Sequence, residues 1–301
     1  MRIAVTGHRG QLSRALLERA PADMEIVSCG RPELDLTQPE TVHPCLKDAA
    51  PDLVISAAAY TGVDLAESEP DLAYAINRDG AGAVARSAAD LGIPLIHIST
   101  DYVFDGTKPG PYLEDDTPSP IGVYGASKLA GEQVVRATTD NHAILRTAWV
   151  YSPFGRNFVK TMLRLAAERP TLRIVGDQVG SPTSALDLAD GVLAVARNLL
   201  HYPHQTALRG TFHMTGSGTA SWADFAIAIL AVAEEAGGPA ARVERIATAD
   251  YPTPARRPAN SVLSNARLDQ IHGVQLPDWR LSTSAVVHRL LARSVPLAEE
   301  A

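Results

Sequence analysis

Tyr124 and Lys128 stand four residues apart, a spacing that puts both side chains on one face of a helix, one turn apart. A positive charge beside a phenol favours the phenolate. The pair is therefore expected to lower a tyrosine pKa that otherwise sits at about 10, making Tyr124 a proton donor at neutral pH. None of the other seven tyrosines has a lysine four places on, and the chain holds only four lysines against 23 arginines. An arginine would serve poorly there, being wide, planar and never deprotonated. Upstream, Ser99-Thr100-Asp101 closes an apolar strand, where the Thr100 hydroxyl could hydrogen-bond an oxygen on which negative charge develops. The same residues would also suit a solvated helix face and a capped strand end. The surrounding elements decide between these readings.

Residues 2–6 read as a short buried strand that runs into Gly7-His8-Arg9-Gly10-Gln11-Leu12-Ser13 and then an apolar helix. A strand, a glycine turn and a helix N-terminus bring backbone amides and the helix dipole to a pyrophosphate. Further strands are expected at Glu25–Cys29, Leu53–Ser56, Pro94–Ser99 and Ala143–Thr147. Helices are expected from Pro39, over 70–91 and over 125–137. Short apolar strands alternating with helices predict a parallel sheet covered on both faces, with functional loops on its carboxyl edge. Beyond about residue 150 the regular order loosens, with Pro and Gly frequent at 170–184 and 250–260. A smaller lobe is expected there.

Composition removes whole classes of function. With 301 residues, 46% hydrophobic and 20% charged, the chain has the make-up of a folded globular protein. A net charge of −7 and the absence of any Lys/Arg run exclude nucleic acid as a partner. No apolar run reaches the roughly 18 residues of a membrane span; the longest, Ala226–Ala233, stops at Glu234-Glu235 and reads as a buried helix. Cys29 and Cys45 are too far apart for a metal knuckle and read as reduced core cysteines. With a chain start that leaves no room for a signal peptide, they point to a cytoplasmic protein.

Taken together, several segments resemble the dTDP-4-dehydrorhamnose reductase family of extended short-chain dehydrogenase/reductases. They are Gly7-x-x-Gly10-Gln11-Leu12, Leu34-Asp35-Leu36-Thr37, the run Ala57–Asp64, the run Ser99–Gly106, Tyr124-x-x-x-Lys128, Arg146-Thr147-x-Trp149-Val150-Tyr151, Gly155-x-Asn157-Phe158, Gln178-x-Gly180-x-Pro182-Thr183 and the run Pro252–Pro258. The resemblance spans nearly the whole chain. It implies an α/β protein, with a Rossmann-type doubly wound parallel sheet over 1–150 that binds a dinucleotide. Residues 151–301 would form mainly a smaller C-terminal substrate lobe, part of which returns to the first domain. The implied reaction is NAD(P)H-dependent reduction of the 4-keto group of a dTDP-linked keto-deoxysugar, by a monomer or homodimer.

By the same resemblance, Tyr124 gives the proton, Lys128 holds the nicotinamide ribose and Thr100 steadies the alkoxide. Gly7, Gly10, Gln11 and Leu12 wrap the pyrophosphate; Asp35 and Leu36 border the adenine; Ala59, Tyr60 and Thr61 line the ribose and nicotinamide side. Asp101, Trp149, Asn157, Arg256 and Arg257 are implied on the substrate side, although Trp149 also suits a core indole and Asp35 a turn. Asn77 reads as structural support. The second strand ends Cys29-Gly30-Arg31 and not in the acid that would bind NAD ribose hydroxyls, so Arg31 points to NADPH, with NADH possible. Asp101 is followed by Tyr102 where related dehydratases carry a second acid, so dehydration is not expected. No metal is expected, because the places where some relatives hold magnesium through glutamates carry Ala15 and Leu186, with Asp187 adjacent. A non-catalytic alternative of the same fold is a regulatory protein similar to the methionine adenosyltransferase regulatory subunit.

Overall fold

The computed structural model describes residues 1–292. Strand and helix alternate through β1 (Arg2–Thr6), α1 (Gln11–Arg19), β2 (Glu25–Cys29), α2 (Val42–Ala49), β3 (Leu53–Ser56), α3 (Val63–Ala66), α4 (Pro70–Tyr74), α5 (Ala81–Asp90), β4 (Leu95–Thr100), α6 (Val123–Thr138) and β5 (His142–Thr147). Then follow β6 (Val150–Tyr151), α7 (Phe158–Glu168), β7 (Thr171–Val175), β8 (Val179–Gly180), β9 (Thr183–Ser184) and α8 (Ala185–His201). The described chain closes with β10 (Gly210–His213), β11 (Ala220–Ser221), α9 (Trp222–Glu235), β12 (Arg242–Ile246), α10 (Ala266–His272) and α11 (Trp279–Ala292).

The main sheet is six-stranded in the order β10-β5-β4-β3-β1-β2, and all its pairs are parallel. Alternate residues of each strand feed separate cores because side chains alternate across the pleat. Ile3, Val5, Leu53, Ile55, Ile96 and Leu145 pack with Leu16 of α1 and Leu188, Val192 and Val195 of α8. Ala4, Val54, Leu95 and Ile144, one position out of step, pack with Leu46 of α2, Val84 of α5 and Val135 of α6. Both faces are thus dry, which is why these strands read as continuous apolar runs. The chain leaves β1 for β2 on one side and crosses back to β3 on the other. That reversal opens a crevice beyond the carboxyl ends of β1 and β3.

The helix expected over 70–91 is not uniform: α4 and α5 are joined by a π-helical turn, Ala75–Gly80. The buried amide of Asn77 sits in that turn. Its Oδ1 accepts from the Tyr60 backbone N at 2.8 Å, while Nδ2 donates to Tyr60 O at 3.1 Å and to Ser127 Oγ at 2.9 Å. The extra residue of the turn aims the amide at the loop after β3, and no periodicity in the sequence reveals it. Ala226–Ala233 lies in α9, which buries one side (Phe225, Ala226, Ile229, Leu230, Ala233) and leaves Ile227 exposed.

A further core collects Tyr151, Val159 and Met162 with Leu172, Phe225, Ile229, Trp279, Val286 and Val287. It joins α7, α9 and α11 to the small parallel pair β7–β12. From the sequence region 151–301, α8 and β10 belong instead to the layer of the main sheet. Residues 293–301, the end of that region, lie outside the described residues.

Candidate active site

Thr100 ends β4 and Tyr124 begins the second residue of α6, and the two elements are clamped together from below. Glu132, on the same face of α6 as Lys128, is wholly buried with Arg146 of β5. Ser99 Oγ donates to Glu132 Oε1 at 2.6 Å; Arg146 donates through Nε and Nη2 at 2.8 Å each, and Arg136 at 2.9 Å. Burial by itself would raise the Glu132 pKa, but its partners Arg146, Ser99 and Arg136 reverse this and hold the carboxyl below its usual range. At the other end Gly125 lets α6 approach the loop after β4: a Cβ there would lie 2.1 Å from the Tyr102 carbonyl oxygen. The Tyr102 ring then meets Tyr124 edge-on, with centroids 5.7 Å apart.

A cavity of about 800 Å³ opens on this junction, lined by Thr100, Asp101, Tyr124, Lys128 and Trp149 together with the turn after β1 and the loop after β3. The Thr100 hydroxyl donates to Asp101 Oδ1 at 3.0 Å and accepts from Tyr102 N at 3.2 Å. Asp101 is 1% exposed, and burial raises its carboxyl to about 6, against the neighbouring Ser261 and Thr100 hydroxyls. Thr147 Oγ1, of a residue lining the cavity, is buried without a hydrogen-bond partner.

One expectation is corrected. Lys128 does not depress the Tyr124 pKa in this geometry: burial pushes the phenol up to about 12, with only the Thr100 hydroxyl working against it. Lys128 is itself buried and donates from Nζ to the Ile98 carbonyl at 2.6 Å. Burial pulls it down to about 8, opposed by Glu132. A shared helix face placed the two residues in one cavity, but burial, not each other's charge, sets both pKa values.

At the cofactor end, Gly7 adopts φ +92°, a conformation that side chains avoid, and starts the turn into α1. Gly10 caps α1 with no side-chain hydrogen bond, and the first turn carries no acid. The free amides of that turn and the positive end of the helix dipole suit an anion. Gly7, Gly10, Gln11, Leu12, Ala59 and Thr61 line the cavity with Tyr124 and Lys128. The Gln11 side chain is tied to its neighbours, accepting from Ser152 Oγ at 2.7 Å and Asn157 Nδ2 at 3.0 Å and donating to the Val150 carbonyl at 3.3 Å.

Other expected contacts are placed differently. Asp35 accepts from Thr37 N at 2.9 Å and Thr37 Oγ1 at 2.8 Å, the turn role it also suited, and Leu36 is buried in the core. Tyr60 has its backbone clasped by Asn77 and donates its hydroxyl to Glu69 at 2.6 Å. Arg31 is exposed and paired with Asp35 at 3.1 Å. None of these four lines the cavity. Asn157 lines neither cavity of the region: it caps α7 through Lys160 N and ties down Gln11, Ser152 and Phe154.

A second cavity of about 670 Å³ adjoins the first, walled by Phe158, Met162, Leu172, Ile174, Trp222 and Tyr251 and rimmed by Asp64 and Arg257. Arg257 donates to Asp64 Oδ2 at 2.8 Å, whereas its neighbour Arg256 points outward and lines neither cavity. Asp64, Trp222 and Glu132 went unassigned in the sequence. Glu132 left a signal in its place one turn beyond Lys128, and Asp64 in closing the matching run Ala57–Asp64; Trp222 left none.

Ala15 is buried in the core, and Asp187 accepts from Ser282. Among the described residues no group of three or more His, Cys, Asp or Glu could hold a metal ion. No described helix is long and apolar enough to cross a membrane.

Comparison with known proteins gives this geometry a context. The family described as "RmlD substrate binding domain" matches residues 1–292. A dTDP-4-dehydrorhamnose reductase of Sinorhizobium fredii is 53% identical over 291 residues, covering 97% of this chain and 98% of its own. The crystal structure of a dTDP-4-dehydrorhamnose reductase from Clostridium acetobutylicum superposes with a TM-score of 0.89 at 38% identity, covering 97% of this chain and 100% of that one. Another, from Bacillus anthracis and in complex with NADP, has a TM-score of 0.87 at 37% identity, covering 96% and 99%. The chain belongs to the dTDP-4-dehydrorhamnose reductase family of extended short-chain dehydrogenase/reductases.

Proposed function

We propose that this protein reduces the 4-keto group of a dTDP-linked 4-keto-6-deoxyhexose, dTDP-4-dehydrorhamnose or a close analogue, to the secondary alcohol. The observation that carries the reading is the convergence of Thr100, Tyr124 and Lys128 on one cavity that also receives the glycine turn and the α1 N-terminus. A reduced nicotinamide dinucleotide supplies the hydride when bound, and its relative from Bacillus anthracis holds NADP. The α1 amides and Gly7 turn would hold its pyrophosphate, and Lys128 its nicotinamide ribose.

Tyr124 keeps its proton at neutral pH, as a phenol ordinarily does, and burial disfavours the phenolate further. As hydride reaches the carbonyl carbon, negative charge grows on the oxygen, and that oxygen takes the Tyr124 proton. The phenol loses its reluctance only when a developing alkoxide stands against it, so the proton moves in the transition state and not before. Thr100 Oγ, held by the Tyr102 amide, would offer the same oxygen a second contact by turning its one proton from Asp101 to the substrate. The neighbouring cavity, apolar-walled with Arg257 at its rim, suits the nucleotide part of the substrate.

The test is ketone-dependent oxidation of NADPH by the purified protein with dTDP-4-dehydrorhamnose. No turnover would overturn the reading, including in favour of a regulatory role. NADPH should serve at least as well as NADH. Arg31, exposed beyond β2, could leave Asp35 for a 2′-phosphate, so Arg31→Ala should erode the NADPH preference. Strong selectivity of the wild type for NADH would reject that assignment. We further place the enzyme in the cytoplasm, as a monomer or homodimer; sedimentation of the purified protein distinguishes the two states.

A further inference from the structure

Trp149 occupies a backbone conformation that bulky residues avoid, with φ +48°. Such a conformation persists only where the surroundings over-determine it. Two neighbours do so. Gly180 of β8 presents a bare backbone to the indole, where a Cβ would lie 2.4 Å from Trp149 Cε2. On Trp149 itself lies the indole of Trp222, with centroids 3.5 Å apart and planes 4° from parallel. Trp222 in turn is held at the first residue of α9 by the reciprocal Ser221–Asp224 capping box and braced by the Phe158 ring at 4.7 Å. Trp149 lines the catalytic cavity and Trp222 the neighbouring one, so the stacked pair forms the partition between them.

We infer that Trp222 is a positioning residue for the reduction: it backs Trp149 as a rigid plane and thereby sets where the sugar ring sits against Thr100 and Tyr124. The inference rests on the reaction proposed above and deepens it. A flat indole at a fixed angle limits the ring's tilt, and hydride transfer tolerates little misplacement of the carbonyl carbon. Removing the backing plane frees Trp149 to relax from its positive φ and loosens that wall of the cleft. Trp222 has no polar atom role in this account, so any flat ring should substitute in part.

The molecule holds three tryptophans, and Trp279 is packed apart from this pair against Phe225. Stacked indoles 3.5 Å apart are strongly coupled, and where their transition dipoles cross within the parallel planes the native protein gives an exciton couplet in circular dichroism. Trp222→Leu and Trp222→Phe should both abolish that couplet. Trp222→Leu should lower kcat by about tenfold or more while KM for NADPH changes by less than about twofold; Trp222→Phe should keep kcat within about threefold of wild type. Gly180→Ala, which pushes on the Trp149 indole at Cε2, should also lower kcat and alter the couplet without touching Trp222. It decides the matter if Trp222→Leu does not fold. An unchanged kcat in folded Trp222→Leu or in Gly180→Ala would overturn the inference. A wild type inactive towards the keto-sugar nucleotide yet showing the couplet would instead remove the reaction on which the inference rests.

Discussion

Tyr124 is a protonated phenol at neutral pH, and partial burial raises its pKa further, which orders the chemistry at the residue scale. Replacing it with phenylalanine keeps the ring against Tyr102 and removes only the transferable proton. Tyr124→Phe should lose about 10²- to 10⁴-fold in reduction rate while NADPH binding, followed by fluorescence titration, stays within several-fold. Lys128 behaves in the opposite sense, since burial makes it give up its proton more readily, at about 8. Its charge is present below that value and lost as pH rises through it, whereas Tyr124 stays protonated across the same range. The pH profile of kcat/KM for NADPH should therefore be flat below about 8 and decline above it, and Lys128→Met should abolish the decline along with most of the activity. A profile that instead turned down below neutrality would place the controlling group elsewhere. The Tyr–Lys pair was legible in sequence because helical spacing is local; the direction of each pKa was not, because desolvation depends on what the rest of the chain packs around them.

At the scale of elements, the site exists because α6 is bolted to β4 and β5. Glu132 joins Ser99, Arg136 and Arg146 with full burial of the carboxylate, so Glu132→Ala would leave the Arg146 guanidinium charged, buried and uncompensated. Chemical denaturation should show a loss of about 3–5 kcal/mol, against about 1 kcal/mol for Ser99→Ala, which removes one hydrogen bond. Equal small losses would mean that the network contributes little to joining the elements. Strand and helix periods made β1 to β5 and α6 readable. The π-turn at Ala75–Gly80 was not readable, since it is stabilised by the grip of Asn77 on Tyr60 and Ser127, residues remote along the chain. Asn157 shows the same limit: its motif was visible, but only packing reveals that its amide caps α7 and anchors Gln11.

Across the whole molecule, two cavities lie side by side, one between the main sheet's carboxyl edge and the chain after β5, the other within the α7, α9, β7 and β12 layer. If the second takes the nucleotide, dTDP alone should inhibit competitively against the keto-sugar nucleotide. The adjacent arginines should then differ. Arg257→Ala should raise KM for that substrate by about tenfold, as expected for loss of a charge-assisted contact, while exposed Arg256→Ala should change it little. Steady-state kinetics of the two variants checks this, and equal effects would show that the rim in this structure is not the phosphate handle.

What the sequence by itself determined was everything written in local periodicity and short motifs: the parallel sheet, the glycine turn into α1, and the presence of Thr100, Tyr124 and Lys128 on adjoining elements. Tertiary structure alone decided which motif residues reach a cavity. Asp35, Leu36, Tyr60 and Asn157 belong to matching segments yet turn into caps, core and backbone contacts. Trp222, outside every matching segment, is brought by the packing of α9 onto Trp149. The physical reason is that side-chain direction within an element follows from its own dihedrals, whereas burial, hydrogen-bond partners and pKa are properties of neighbours contributed by distant parts of the chain.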